Sequence, residues 1–287
     1  MSINKAINKA VLPIAGLGTR FLPFTKVIPK EMLPINGVPI LQLLIEEAFE
    51  AGITEIVLVI NKEKEPIIRS YLSKDGIAAT KIAEKGHATK LEHLNQLIDS
   101  VKFHYVYQEQ QLGDGHAILQ AEPLLHGEPF AVLFGDDLVV PSASSNHDTS
   151  ANALSQLIKA HEKTSSSIIA LEEIPIEKSS NYGIIKPKDT STSPLYEIEK
   201  LVEKPAPLAC PSNLGIIGKY IVTPEIFESL KSAEKSIGGE IRLIDGFNQL
   251  IKTQPIYGLT VEGKRYDTGT LDGYKKAILG AADPQPK

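Results

Sequence analysis

Apolar positions in the first half of the chain fall into short unbroken runs: KAVLPIA (9–15), EIVLVIN (55–61), FHYVY (103–107) and FAVLF (130–134). Runs of that length bounded by turn residues predict strands buried on both faces. Between them the period changes. Residues 40–51 place Ile40, Leu43, Leu44 and Phe49 on one helical face, with Pro39 as a first helical residue and Gly52 as the stop. Residues 63–72, 91–100 and 115–125 also read as helices. The resulting β-α-β-α-β order predicts a mostly parallel sheet covered on both faces, with ligands at the carboxyl ends of its strands.

Two stretches break this regularity. Pro23, Pro29, Pro34 and Pro39 remove amide donors too often for a helix or a central strand, so 21–39 is expected as an irregular but fixed loop. Residues 142–152 (SASSNHDTSAN) are polar and predict a solvated connection. Beyond them SIIAL, YGIIKP, YEIEKLVEKP and LGIIGKYIV read as strands with few helices between, a mixed region flanking the cleft. Helices at 224–232 and 240–252, the strand-like YGLTVEG, the loop YDTGT and a helix near 270–281 complete the chain, and no internal repeat is evident.

Three polar segments stand at predicted strand ends: GLGTR after the first, QEQQLGDGH after the third and GDD after the fourth. GLGTR has Phe21 where a dinucleotide fingerprint needs its third glycine, and no Walker A pattern occurs. What is left is a turn of small residues, Ala15, Gly16 and Gly18, followed by Arg20 and Lys30. Two aspartates meeting across a cleft would suit Mg²⁺, which takes one or two carboxylates plus phosphate oxygens. Spacing alone leaves open whether Asp136 and Asp267 meet. The seven histidines form no H-E-x-x-H, no G-x-S-x-G elbow is present, and the lone Cys210 has no evident base.

Charge sharpens the picture. The 287 residues carry 30 basic and 35 acidic side chains, a net −5, which argues against nucleic acid as a partner. Residues 1–30 hold Lys5, Lys9, Arg20, Lys26 and Lys30 and no acid, so the other residues carry 25 − 35 = −10 and the amino-terminal part reads as a local anion site. One cysteine and the lack of a long apolar stretch predict a cytoplasmic protein without a membrane partner.

The run KAVLPIAGLGTRFLPFTKVIPKEMLPINGVPILQLLIEEAFEAGITEIVLV resembles the bacterial UTP:glucose-1-phosphate uridylyltransferases, a branch of the sugar-nucleotide pyrophosphorylases. The likeness recurs in family order in GHAILQAEPLL, EPFAVLFGDDL, YGIIKP, VEKPAP, PSNLGIIGKYI, GGEIRLIDGF and KRYDTGTLDGY. It implies an α/β, Rossmann-like nucleotidyltransferase fold: a mostly parallel central mixed sheet flanked by helices, with a smaller β-rich sugar-binding region. The whole of 1–287 would be one domain, about 1–140 binding nucleotide and about 165–270 binding sugar and metal. The implied reaction joins UTP and glucose 1-phosphate into UDP-glucose and pyrophosphate, with Mg²⁺ as cofactor and a homodimer or homotetramer as the assembly.

Carried over residue by residue, the resemblance implies that Ala15, Gly16, Gln108 and Gly113 hold the uracil and Glu31 touches the ribose. Arg20 and Lys30 contact the UTP phosphates, Asp136 and Asp267 hold the metal, and Lys204 fixes the sugar phosphate. Gly183 and Glu203 bind glucose hydroxyls, with Asp137 and Asn213 beside them. One departure is Asp114 in QLGDGHA, where the family more often has an apolar residue. Two other readings are a dTTP-using thymidylyltransferase, since thymine adds only a methyl, and a non-catalytic regulatory relative. Retention of Arg20, Lys30, Asp136, Lys204 and Asp267 argues against the latter.

Overall fold

The computed structural model describes residues 6–75, 79–85, 88–141, 151–189, 193–233 and 239–280. Their strands are β1 (Lys9–Pro13), β2 (Pro34–Ile35), β3 (Val38–Pro39), β4 (Glu55–Ile60), β5 (Lys102–Tyr107), β6 (Phe130–Leu133) and β7 (Asp137–Val140). They continue as β8 (Ser167–Glu173), β9 (Gly183–Pro187), β10 (Leu195–Glu203), β11 (Leu214–Val222), β12 (Ile256–Thr260) and β13 (Lys264–Asp267). The helices are α1 (Ile40–Glu50), α2 (Glu65–Tyr71), α3 (Ala79–Glu84), α4 (Glu92–Ser100) and α5 (Asp114–Leu125). After them come α6 (Ala153–Thr164), α7 (Ile226–Ser232), α8 (Leu243–Leu250) and α9 (Leu271–Gly280).

Nine strands form one sheet in the order β5-β4-β1-β6-β11-β8-β12-β10-β9. From β5 to β6 all pairings are parallel; β11 then enters antiparallel to both β6 and β8, and β8 with β12 restores one parallel pair. The strands of the second half thus extend the first sheet, so both walls of the cleft rest on one frame. Alternate residues of the parallel strands feed opposite cores. Leu12, Ile56, Leu58 and Leu133 face α1 and α6, whereas Val11, Val57, Val59 and Val132 face α5, α7 and α8. Burial on both faces is why these strands read as unbroken apolar runs.

Several elements depart from the sequence reading. The proline-rich loop consists of 3₁₀ turns at Thr19–Phe21, Phe24–Lys26 and Lys30–Met32 and a minimal hairpin of β2 and β3. Pro39 ends that hairpin, and the helix begins at Ile40. Helix α6 was not expected. It starts where the Asn152 side chain accepts the Ser155 N–H, and it buries Leu154, Leu157 and Ala160. The predicted helix over 240–252 is confined to α8. Most of the polar connection expected at 142–152 lies outside the described residues. A separate ribbon of β7 and β13 pairs Asp137 with Asp267. Among the described residues no helix is long and apolar enough to cross a membrane.

Candidate active site

The chain leaving β1 at the carboxyl edge of the sheet is held by its carbonyl groups. Ala15 O accepts hydrogen bonds from Asn61 Nδ2 at 3.0 Å and Gln111 Nε2 at 3.3 Å. The buried Lys64 ammonium donates to Ile14 O at 2.8 Å, Gly16 O at 2.5 Å and Glu31 Oε2 at 3.0 Å. Burial pulls the Lys64 pKa below the usual lysine value, and Glu31 opposes that shift without cancelling it. With its carbonyls turned to these donors, the turn is fixed close to the cavity that Ala15 and Gly16 line.

Glu31 lines the same cavity. Its side chain is fully buried, one oxygen is taken by Lys64, and Oε1 is buried without a partner. The carboxylate therefore braces the turn through Lys64 as well as bordering the cavity. Gln108 is buried in the same wall, with Nε2 donating to Gly113 O at 2.8 Å. Gly113 has φ +98°, and a Cβ there would come within 2.5 Å of Ile241 O, so the turn that starts α5 demands glycine.

On the other side of this cavity Lys30 Nζ meets Asp136 Oδ2 at 2.8 Å. Burial works against charge on both groups, yet their mutual attraction prevails: the Lys30 pKa is raised and that of Asp136 lowered. The β7–β13 ribbon brings the second aspartate alongside, because Thr268 N–H donates to Asp136 O at 2.8 Å. Asp267 Oδ1 accepts the Gly269 N–H at 3.0 Å. Arg20 reaches the same corner, its Nη1 lying 3.4 Å from Gly269 O. Arg20, Lys204 and Asp267 line one further cavity.

The remaining residues divide. Gly183 and Glu203 are register partners on β9 and β10 and line a third cavity with Phe134, Tyr220 and Phe247. A Cβ at Gly183 would stand 3.1 Å from both Ile216 Cδ1 and Ile244 Cδ1, so glycine keeps that floor open. Lys204 follows with φ +45°, its N–H bonded to Tyr182 O and its ammonium 3.2 Å from Glu203 Oε1. A lysine in the left-handed region costs energy that the surrounding structure must offset.

Asp137 and Asn213 are placed differently from each other. Asp137 lines the third cavity, but Oδ1 is engaged by Arg265 and Oδ2 by the Gly218 N–H, so it braces the wall. Asn213 is exposed, contributes its carbonyl to Ile174 N–H, and lines none of the three cavities.

Two residues that matter were not singled out as site residues. Lys64 comes from the polar stretch NKEKEP, which reads as a solvated charge run. Asp114 joins the elements of the cleft, its Oδ1 accepting the Leu243 N–H of α8 at 2.9 Å and the Gly115 N–H at 2.7 Å. Burial pushes the Asp114 carboxyl above its ordinary value.

The model of the nucleotidyl transferase family matches residues 9–283. The UTP–glucose-1-phosphate uridylyltransferase of Bacillus subtilis (strain 168) is 42% identical over 275 residues, which are 96% of this chain and 91% of that protein. The enzyme of the same name from Staphylococcus epidermidis is 40% identical over 283 residues, 99% of this chain and 95% of its own. A crystal structure of UDP-glucose pyrophosphorylase complexed with UDP-glucose superposes with a TM-score of 0.83 at 38% identity, covering 96% of this chain and 98% of that one.

Proposed function

The chain belongs to the nucleotidyl transferase family, and on that premise we propose the residues and the metal by which it makes UDP-glucose. Its reaction is uridylyl transfer: UMP passes from UTP to glucose 1-phosphate and pyrophosphate leaves. The convergence of Lys30, Asp136 and the Asp267 corner beside the glycine turn supports this reading most.

The donor set suits a divalent cation. Asp136 and Asp267 supply two carboxylates from adjacent strand ends, and a Cβ at Gly269 would come within 2.8 Å of Asp136 Oδ2, so glycine leaves that oxygen room. Among the described residues no three His, Cys, Asp or Glu side chains gather as a metal group, so Asp136 and Asp267 would be the protein ligands of an Mg²⁺ that also took substrate phosphate oxygens. Such an ion would supply neutralisation of phosphate charge.

Each side chain then has a defined task. Ala15, Gly16, Gln108 and Gly113 form the uracil wall, and Glu31 borders it and braces the turn through Lys64. Lys30 and Arg20 neutralise the triphosphate, with Arg20 on the departing pyrophosphate. Lys204 holds the sugar phosphate, while Gly183 and Glu203 face the hexose. The phosphate of glucose 1-phosphate, whose second pKa is about 6, is largely dianionic at neutral pH and attacks in line without a protein base. Two like unit charges 4 Å apart cost about 4 kcal/mol at an effective dielectric near 20, so cationic neutralisation is the main catalytic device.

The test is pyrophosphate release from a panel of UTP, dTTP, ATP, CTP and GTP with glucose 1-phosphate, with and without Mg²⁺. UTP should lead and chelation should abolish turnover; preference for dTTP would overturn the nucleotide assignment, and activity in excess EDTA the metal assignment. We place the protein in the cytoplasm as a homodimer or homotetramer, to be checked by fractionation and sedimentation.

A further inference from the structure

Asp114 joins two parts of the cleft. Together with Phe134 and Asp136 it lines both the cavity of the glycine turn and the cavity of Gly183 and Glu203. The Leu243 and Gly115 N–H groups both fall on Oδ1, which fixes the carboxylate, and the residue is nevertheless exposed at the cleft surface. Around it stand Leu201, Ile216, Leu243, Ile244 and Phe247. Its remaining acceptor capacity is open to that second cavity, where a hydroxyl of a bound sugar can take the place of water.

Its charged neighbours do not take up that capacity. Glu203 has the same sign, and the guanidinium of Arg242 is committed to Asp245 through bonds of 2.9 and 3.2 Å. A neutral hydroxyl supplies the donor without adding charge, whereas an anionic substituent would face both Asp114 and Glu203.

We propose that Asp114 is a specificity-determining residue for the sugar, its carboxylate accepting a hydrogen bond from one hydroxyl of the hexose 1-phosphate. The inference rests on the uridylyl-transfer reading above. The class selected is a neutral hexose 1-phosphate with that hydroxyl present, against its deoxy analogue and against a uronic acid 1-phosphate.

The experiment uses the full chain with UTP and Mg²⁺, and compares kcat/KM for glucose 1-phosphate, its 2-, 3-, 4- and 6-deoxy derivatives and glucuronic acid 1-phosphate. Wild-type protein should lose about 10–100-fold on one deoxy derivative, the range set by a hydrogen bond to a charged group. Asp114→Leu should lower kcat/KM for glucose 1-phosphate by a similar factor and remove the discrimination against that derivative, with a smaller change in KM for UTP. Asp114→Asn retains an acceptor for the Leu243 N–H, which separates the sugar contact from the bond that starts α8. It should keep the wild-type melting temperature while shifting sugar selectivity. Unaltered deoxy discrimination in both variants, or a loss confined to KM for UTP, would overturn the proposal. Wild-type protein that released no pyrophosphate from UTP and glucose 1-phosphate would instead overturn the reading on which it rests.

Discussion

Replacing Lys64 with methionine removes an ammonium that bonds two backbone carbonyls and one carboxylate at the base of the glycine turn. Methionine fills much of the space but donates nothing. The Glu31 carboxylate, fully buried, would then lose its hydrogen-bonded partner. Breaking a buried pair from one side costs about 3–5 kcal/mol, more than the charge pair itself contributes, because the remaining ion has lost both water and partner. With a urea slope of roughly 2–3 kcal/mol per molar, the unfolding midpoint should fall by about 1–2 M. The turn should also loosen, raising KM for UTP while KM for glucose 1-phosphate changes less. Adding Glu31→Gln to Lys64→Met removes the stranded carboxylate and should recover a substantial part of the loss, leaving the cost of the unbonded carbonyls. Equilibrium urea unfolding of the wild type, the two single variants and the double variant gives the coupling directly. A midpoint for Lys64→Met within about 0.3 M of wild type, or no recovery in the double variant, would refute the argument.

Other outcomes follow from the same geometry. Gly113→Ala forces a Cβ to within 2.5 Å of the Ile241 carbonyl at φ +98°; strain of about 1–2 kcal/mol or more should lower the melting temperature and raise KM for UTP. Lys204→Ala should raise KM for glucose 1-phosphate about 10–100-fold, the range of a charge-assisted phosphate contact, and leave KM for UTP near wild type in initial-rate kinetics. The Lys30–Asp136 pair predicts a pH response in chelator-treated protein. Asp136 is held below its ordinary 3.8, so its stabilisation is present above that value and lost as pH falls through the lower folded value. Lys30 is held above 10.5, so its share is full below that value and lost as pH rises through the higher folded value. The stability deficit of Asp136→Asn, measured by urea unfolding, should therefore shrink toward zero as pH falls through the lowered folded value.

The core strands of the amino-terminal half were legible because parallel strands buried on both faces leave continuous apolar runs, and β1, β4 and β6 fall where those runs stand, with β5, half-exposed at the sheet edge, beside them. The ribbon of β7 and β13 was not. Each strand is short, and its partner is chosen across more than a hundred residues, a pairing that local pattern does not encode. Helix α6 follows a polar segment, and its Asn152 cap together with Leu154 and Leu157 was a usable signal that the neighbouring strand-like runs obscured. Arg20, Lys30, Asp136 and Lys204, expected beside strand ends from their motifs, do line cavities of the cleft. Lys64 was hidden because its charge suggests solvent, and only the closing of the glycine turn over it produces burial. The ion pairs of Glu31 with Lys64 and of Asp137 with Arg265 were hidden for a related reason: a carboxylate next to a motif does not reveal which distant cation packs upon it.

The β7–β13 ribbon also orders events during translation. Residues Lys9–Val140 emerge from the ribosome first and contain Lys30 and Asp136, but the strand that carries Asp267 and ends at the Arg20 corner is made after every other described strand. A nascent chain can acquire most of its sheet and still lack one carboxylate of the proposed metal pair. Prematurely terminated products that stop before Lys264 are therefore expected to be inert in uridylyl transfer even when much of the sheet has formed.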